Sequence, residues 1–250
     1  MVKTIKNIFG LFFAGFLVFA GLACAFMAWV LLEAPDVRLL NGCLKTQMTR
    51  IELCERNSAY VHLPSIPDTL VNAILVSEDI GFFHHHGFDW HEIKQSFLKN
   101  LSSGEFKRGG STISQQLVKN VFLNSDKTIR RKIKEFYLTV QLENNFSKKQ
   151  ILEKYLNVVE LGPSVFGVKS ASRYYFNVSI EQINLAQALY IAFLLPNPEG
   201  HGESYEKGRL TKYARKRMIN LLEKMIAFKK ITDQEFDITK KQLQNSENVF

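Results

Sequence analysis

Three cysteines in 250 residues are too few to staple a fold together, which excludes a disulfide scaffold. Acidic side chains are the scarcer sign, 24 against 32 Lys and Arg, so the chain carries a net charge of +8. A partner drawn by charge is therefore anionic: phosphate, nucleic acid or acidic lipid. Internal repeats and low-complexity tracts are missing, and alternating β-branched runs are few. At 46% apolar and 22% charged residues, the composition is that of one ordinary globular domain, or one domain with an appendage.

Charge is also missing locally. No residue between Lys6 and Glu33 carries any, and Ile8–Leu32 reads as a continuous apolar run. A membrane helix needs about 20 such residues, whereas a signal-peptide core has roughly 7–15. The run is long enough to span, and no small-x-small cleavage site follows it. Gly21-Leu22-Ala23-Cys24 lacks the aliphatic residue that a lipoprotein box needs three places before its cysteine. Lys3 and Lys6 precede the run, and basic flanks stay cytoplasmic. The expectation is an uncleaved single-pass anchor with everything after Glu33 outside the cytoplasmic membrane. Cys43 and Cys54, eleven positions apart, then lie in an oxidising space, where they either close a short loop or stay free thiols.

Residues 34–66 read as irregular, bracketed by Pro35, Pro64 and Pro67. From Asp68 onward helix follows helix. Leu70, Val71, Ile74 and Leu75 make one face, broken at Ser77-Glu78-Asp79. Asp89 with Glu92 spells a capping box before Trp90, Ile93, Phe97 and Leu101, and Ser147/Gln150 and Ser179/Gln182 repeat the start signal. Ile183–Leu195 is apolar nearly all round but too short to cross a bilayer, so it reads as the central core helix. An amphipathic pair follows, its first member lined by Leu210, Met218, Leu221, Leu222 and Met225. The fold class is mainly α.

Three places spend polar residues where a helix has no packing need for them. Glu78-Asp79 sits at a helix end among aromatics and His84-His85-His86. A carboxylate beside apolar rings is desolvated, which raises its pKa toward that of a useful general base; a solvated acidic pair is the plainer alternative. Three consecutive histidines cannot converge on one metal ion, so no metal site is assigned to them. In Arg108–Asn120, Ile113, Leu117, Val118 and Val121 take one side of a helix, and Thr112, Gln115, Gln116, Lys119 and Asn120 take the other. Two glycines and Ser-Thr open that helix, leaving N–H groups to face a ligand. The G-x-x-x-x-G-K-[ST] phosphate loop is absent. Last, Lys127, Arg131 and Glu135 form a stripe opposite Ile129, Ile133, Phe136 and Val140, with Lys134 alongside and Arg130 and Lys132 beside them. It is either a solvated salt-bridged face or a cationic cradle for phosphate with one acid embedded in it.

Taken in order, E-D-x-x-F-x-x-H-x-G (Glu78, Asp79, Phe82, His85, Gly87), G-G-S-T-I-[TS]-Q-Q-L-x-K-N (Gly109–Asn120), R-K-x-K-E (Arg131, Lys132, Lys134, Glu135) and Ile151–Asn157 with Gly162 and Gly167 form four ordered blocks. This set resembles the peptidoglycan glycosyltransferase domain shared by class A penicillin-binding proteins and monofunctional biosynthetic transglycosylases, over roughly residues 66–200. The resemblance implies a mainly α, single lysozyme-like domain behind the transmembrane helix. Its implied divisions are 1–7 cytoplasmic, 8–32 anchor, 33–66 linker or jaw, and 67–250 glycosyltransferase domain, with the motifs in 77–200. It implies polymerisation of lipid II into glycan strands, with Glu78 as general base and Glu135 as second acid near the departing pyrophosphate. Lys119, Lys127, Arg131 and Lys134 would hold that pyrophosphate. Asp79, Phe82, His85, Ser111, Gln115, Gln116 and Asn120 would shape the substrate cleft. No organic cofactor is implied, and a divalent cation (Mg2+ or Mn2+) is left open. The implied partners are lipid II, the growing strand, the membrane and other cell-wall or division proteins, with no nucleic acid.

The chemistry suits these residue types independently. A pyrophosphate leaving group departs with two or more negative charges, which preorganised cations stabilise, and a weakly acidic alcohol needs a base. This chain departs from the family at Gln95-Ser96, where Arg or Lys followed by Ala is common; Lys94 is adjacent. Ser96–Lys99 spells S-x-x-K, but K-T-G and S-x-N are absent, so no transpeptidase activity is expected. The rival readings are a lysozyme-like peptidoglycan hydrolase, which needs no cationic cradle, and a catalytically weak membrane-tethered scaffold.

Overall fold

A computed structural model describes residues 2–103, 110–245 and 249. Helix α1 (Val2–Leu32) is about 46 Å long at 1.5 Å per residue, and its apolar stretch has a mean hydropathy of 2.3 with almost none of it packed against the rest of the chain. It is long and apolar enough to cross a membrane, and Cys24 lies exposed along it.

The segment expected to be irregular is more ordered than its prolines suggest. A 3-10 turn at Val37–Asn41, capped by the Asp36 carboxylate, leads into a hairpin of β1 (Leu44–Lys45) and β2 (Glu52–Leu53). The hairpin is antiparallel, with Leu44 opposite Leu53, and the Cys43–Cys54 disulfide closes it. Val37, Leu40, Leu53, Val61 and Ile66 are buried in the main core, so the segment is part of the domain. Two side chains of α6 (Lys148–Val158) explain its docking. Glu153 accepts hydrogen bonds from the Tyr60 hydroxyl (2.7 Å) and the Leu63 N–H (2.7 Å), and Asn157 bonds both the N–H and the C=O of Val61 (2.8 Å each).

The rest is helical: α2 (Asp68–Glu78), α3 (Trp90–Ser103), α4 (Ile113–Phe122), α5 (Ile129–Asn145) and α6 (Lys148–Val158). A bulged hairpin of β3 (Glu160–Gly162) and β4 (Val165–Phe166) precedes α7 (Val168–Phe176), α8 (Leu185–Leu194), α9 (Glu203–Glu206), α10 (Lys212–Ala227) and α11 (Asp233–Asn245). Every residue of α8 is buried, with α2, α7, α10 and α11 around it, as the short run without a polar face predicts. Its start differs slightly from expectation. Ser179/Gln182 caps a 3-10 turn, and Asn184 with Gln187 opens the helix proper. Capping boxes also open α4 (Thr112/Gln115) and α6 (Ser147/Gln150). The turn into α7 needs Gly167: its φ is +77°, and a Cβ there would lie 2.8 Å from the Asn157 carbonyl.

The face of α5 and one ring of α3 differ from what periodicity predicts. On α5 the buried side is Glu135, Leu138, Thr139 and Leu142, while Ile129 and Phe136 are 79% and 49% exposed. On α3, Trp90 is exposed and stacks on Phe88, which also stacks on Phe136. On α5 the buried Glu135, with its polar partners, has taken the inward position. The side chains of Phe97 and Leu101 lie outside the described residues.

The disulfide closes a short loop in the unfolded chain, so a C43S/C54S variant should lose about 3 kcal/mol of stability by chain entropy. Chemical denaturation in detergent, with and without reductant, measures this. Reductant should lower the parent's midpoint toward the variant's and leave the variant unmoved.

Candidate active site

Two carboxylates of unlike environment face α4. Glu78, the last residue of α2, is partly buried. Gln116 Nε2 donates to its Oε2 at 2.9 Å, and Ser77 Oγ approaches its Oε1 at 3.4 Å. Burial pushes its carboxyl above the usual carboxylate value, outweighing the pull of Gln116, Ser77 and the Lys119 ammonium, and the Asp79 charge adds to the rise. Gln116 is held in turn by the fully buried Tyr155, whose hydroxyl donates to Gln116 Oε1 at 3.1 Å. Lys119, one turn along, acts on both Glu78 and Glu160 of β3.

Glu135 is only 3% exposed. Arg131 Nη1 reaches its Oε2 at 3.2 Å, Gln115 Nε2 its Oε1 at 3.4 Å, and Lys132 pairs with it from the preceding turn. A carboxylate this buried is stable only with such partners, so Lys132 belongs with Arg131 in the site although sequence reasoning left it beside the stripe.

The N-terminus of α4 is fixed by three residues expected to touch substrate. Asp79, buried, accepts from the Ile113 N–H at 3.0 Å and from His85 Nε2 at 2.9 Å. Phe82 is fully buried beneath them, edge-on to His85. Asp79 and Phe82 are buried and His85 is half-buried, and together they brace the N-terminus of α4. His85 turns to Asp79; among the described residues no group of three or more His, Cys, Asp or Glu is placed to hold a metal ion. Gly87, at φ +84°, lets α5 pass so closely that a Cβ would lie 2.8 Å from Thr139; its carbonyl accepts from Thr112 Oγ1 at 2.7 Å.

A groove of about 620 Å³ runs between the end of α1, β1, and the α4–α5 connection. Its charged lining is Glu33, Lys45, Asp126, Arg130, Arg131 and Lys134. Of the four cations expected to act together, Arg131 and Lys134 line it, whereas Lys119 sits beside Glu78 and Lys127 is exposed on the approach to α5. Lys134 lies 3.2 Å from Glu33, which also pairs with Arg130, and the Arg130 guanidinium stacks 4.3 Å over Trp29. Burial and the neighbouring Arg130 lower the Lys134 pKa. Glu33 and Arg130 were legible only as an anchor flank and a neighbouring charge, because their meeting depends on where α1 ends against α5.

The remaining expected residues fall around these two halves. Ser111 is exposed before the Thr112 cap, and Asn120 lies at the C-terminal end of α4. Asn120 and Val121 carbonyls accept from Met48 N–H (3.3 Å) and Gln47 N–H (2.8 Å) at the tip of the disulfide-closed hairpin. Gln95 and Lys94 are both exposed, and Ser96 is buried, which removes it as a nucleophile. Arg108 and Gly109, which open the second block, lie outside the described residues.

Comparison with known proteins gives the family. The family model described as Transglycosylase matches residues 45–226, which takes in the hairpin as well as all four blocks. The chain is 40% identical over 199 residues to a biosynthetic peptidoglycan transglycosylase of Chromobacterium violaceum, covering 75% of this chain and 87% of that protein. It is 37% identical over 208 residues to the protein of the same name in Nitrosospira multiformis, covering 80% and 90%. One from Acinetobacter baylyi is 45% identical over 139 residues, covering 56% and 62%. The chain belongs to the transglycosylase family and is a peptidoglycan glycosyltransferase of cell-wall synthesis.

Proposed function

We propose that the chain polymerises lipid II by a single inverting displacement in which Glu78 is the general base. The acceptor's 4-hydroxyl gives its proton to Glu78 as its oxygen bonds to the donor's C1. The bond from C1 to the polyprenyl pyrophosphate breaks in the same step, with inversion. Arg131 and Lys134 in the groove, with Lys119 between the halves, neutralise the departing diphosphate, and Lys127 at the entrance adds charge for capture. Glu135 keeps Arg131 and Lys132 in place beside the leaving group. Gln115 and Gln116 set the two carboxylates, Ser111 and Asn120 border the cleft, and Asp79, Phe82 and His85 hold α4 in register. A divalent ion, Mg2+ or Mn2+, would enter with the diphosphate, and no organic cofactor takes part.

The observation that carries this reading is that one helix grips both acids: the desolvated Glu78 on one side, and on the other Glu135 embedded in cations beside a groove lined by Arg130, Arg131 and Lys134. Within that reading the anchor spans the cytoplasmic membrane once, with residues 1–7 cytoplasmic and the domain from residue 33 outside. The exposed Ile129, Phe136 and Trp90 rest on the lipid surface beside it. Other cell-wall or division proteins would meet the same membrane-bound assembly, and nucleic acid would not.

Replacing Glu78 by Gln should cut polymerisation of labelled lipid II by at least about 10²-fold. Gln116 still has an oxygen to donate to in this variant, so thermal unfolding should stay at or above the parent's at neutral pH. Turnover retained by E78Q overturns the base assignment, and shortening of finished strands in place of chain growth overturns polymerisation. The raised Glu78 pKa also fixes the pH response. Only the ionised carboxylate accepts a proton, so kcat/KM should rise with pH through an acid limb lying above about 4.3, the ordinary glutamate value. Rate measurements from pH 4 to 8 locate that limb, and E78Q should lack it.

A further inference from the structure

Tyr155 belongs to the fourth block, and its ring is fully buried in α6. Its hydroxyl, however, is spent on one polar contact, the 3.1 Å bond to Gln116 Oε1, and the other end of that amide holds Glu78 at 2.9 Å. We propose that Tyr155 is a positioning residue that sets the charge state of Glu78 by fixing which end of the Gln116 amide faces it. The proposal rests on the reading of Glu78 as the base and deepens it.

The argument is one of donors and acceptors. A primary amide has a donor end and an acceptor end of nearly the same shape, so contact alone does not orient it. In the observed orientation both neighbours are satisfied: the phenol donates to oxygen, and the NH2 donates to the carboxylate. Turned over, the amide would put its oxygen against a carboxylate and its NH2 against the phenol. The phenolic proton would then lose its acceptor, since Gln116 is its one hydrogen-bond partner among the described residues. A buried donor left unpaired costs about 1–3 kcal/mol, enough to hold one orientation. Tyr155 keeps that proton throughout the working range, because burial and the charges of Glu78 and Asp79 raise its pKa well above the ordinary phenol value.

Without the phenol, the turned amide becomes available. Its oxygen then favours a protonated Glu78, which can donate to it, over an ionised one, which cannot. The base therefore becomes harder to ionise. The other groups facing Glu78 keep their places: Lys119 from α4, Asp79 at the end of its own helix, and Ser77 beside it. Of the helices packed on α2, α8 carries no charged side chain over Leu185–Leu194, and α10 carries Lys212, Arg215, Lys216, Arg217, Glu223 and Lys224, none of which the variants below alter.

The test is the pH profile of Y155F, with Q116M and the double variant alongside. Loss of a hydrogen bond that favours the charged form should move the acid limb of kcat/KM up by about one pH unit. Activity on the plateau above the limb should fall much less than activity below it. In the Q116M background, adding Y155F should move the limb no further, because the amide that transmits the effect is gone. A uniform loss of rate at every pH, or a shift that persists in Q116M, overturns the proposal and leaves Tyr155 a packing residue. Should turnover be too low to profile, 13C carboxyl NMR of glutamate-labelled protein in detergent reads the titration directly, its signal assigned by loss in E78Q. An unmoved Glu78 titration in Y155F, folded by thermal melting, is equally fatal. The two readings fail separately: turnover by E78Q sinks the base, whereas the NMR titration reports on Tyr155 whatever Glu78 does in the reaction.

Discussion

Two consecutive glutamines on α4 each divide one amide between a buried donor and a carboxylate. Gln115 takes the Thr112 N–H on its oxygen at 3.1 Å and gives its NH2 to Glu135; Gln116 takes the Tyr155 hydroxyl and gives its NH2 to Glu78. Neighbouring residues on an α-helix point about 100° apart, so a single helix can serve two acids only if those acids arrive from different elements on either side of it. They do: Glu78 comes from the end of α2 and Glu135 from α5. The spacing between the two acids, the proposed proton acceptor and the proposed leaving-group site, is thereby set by one helix, and its neighbours hold α4 in place.

That task explains features that would otherwise look unrelated. An isolated ten-residue helix is marginal in water, so α4 depends on its ends and its neighbours. At its N-terminus the Thr112/Gln115 box and the Asp79 carboxylate consume orphan N–H groups, with His85 and Phe82 locking the carboxylate. At its C-terminus the N–H groups of Gln47 and Met48 take up the Val121 and Asn120 carbonyls. The hairpin tip is therefore a cap for the catalytic helix as well as a covering loop, and a bond across its base at Cys43–Cys54 holds the cap in register. Glu153 and Asn157 of α6 extend the same support backward to residues 60–63.

Much of this was legible in sequence because it follows from short-range periodicity. The anchor, the face of α2, the two sides of α4 and the all-apolar α8 come from patterns that repeat within one element. The places where sequence reading fell short are those where a partner element chooses the face. The α5 stripe carries equal cues for either orientation, and the decision went to burying Glu135, because α4 offers it an amide and α5 itself offers Arg131 and Lys132. Ile129 and Phe136 were left outward as a result. Asp79, Phe82 and His85 were legible as important and not as structural, since a motif marks that positions matter together without saying which of them touch a ligand. Tyr155 was hidden in the opposite way. A buried aromatic among Leu and Ile looks like packing, and only the direction of its hydroxyl says otherwise.

The meeting of α1 and α5 gives the groove its depth. The apolar helix ends at Leu32, and the next residue, Glu33, already lines the groove with Arg130, Arg131 and Lys134. A polyprenyl chain cannot leave the bilayer without exposing its methylenes, each costing about 0.8 kcal/mol, so its diphosphate stays at headgroup level. Within the proposed reading, cations paired with Glu33, one residue beyond the end of a membrane-length helix, lie at that same level. The Arg130 stack on Trp29 and the Glu33 pairs tie that height to the helix carrying Glu135, so that the anchor sets position along the membrane normal while α4 sets distances within the site. The substrate then has only two dimensions left to search, and the reacting groups are placed before it arrives.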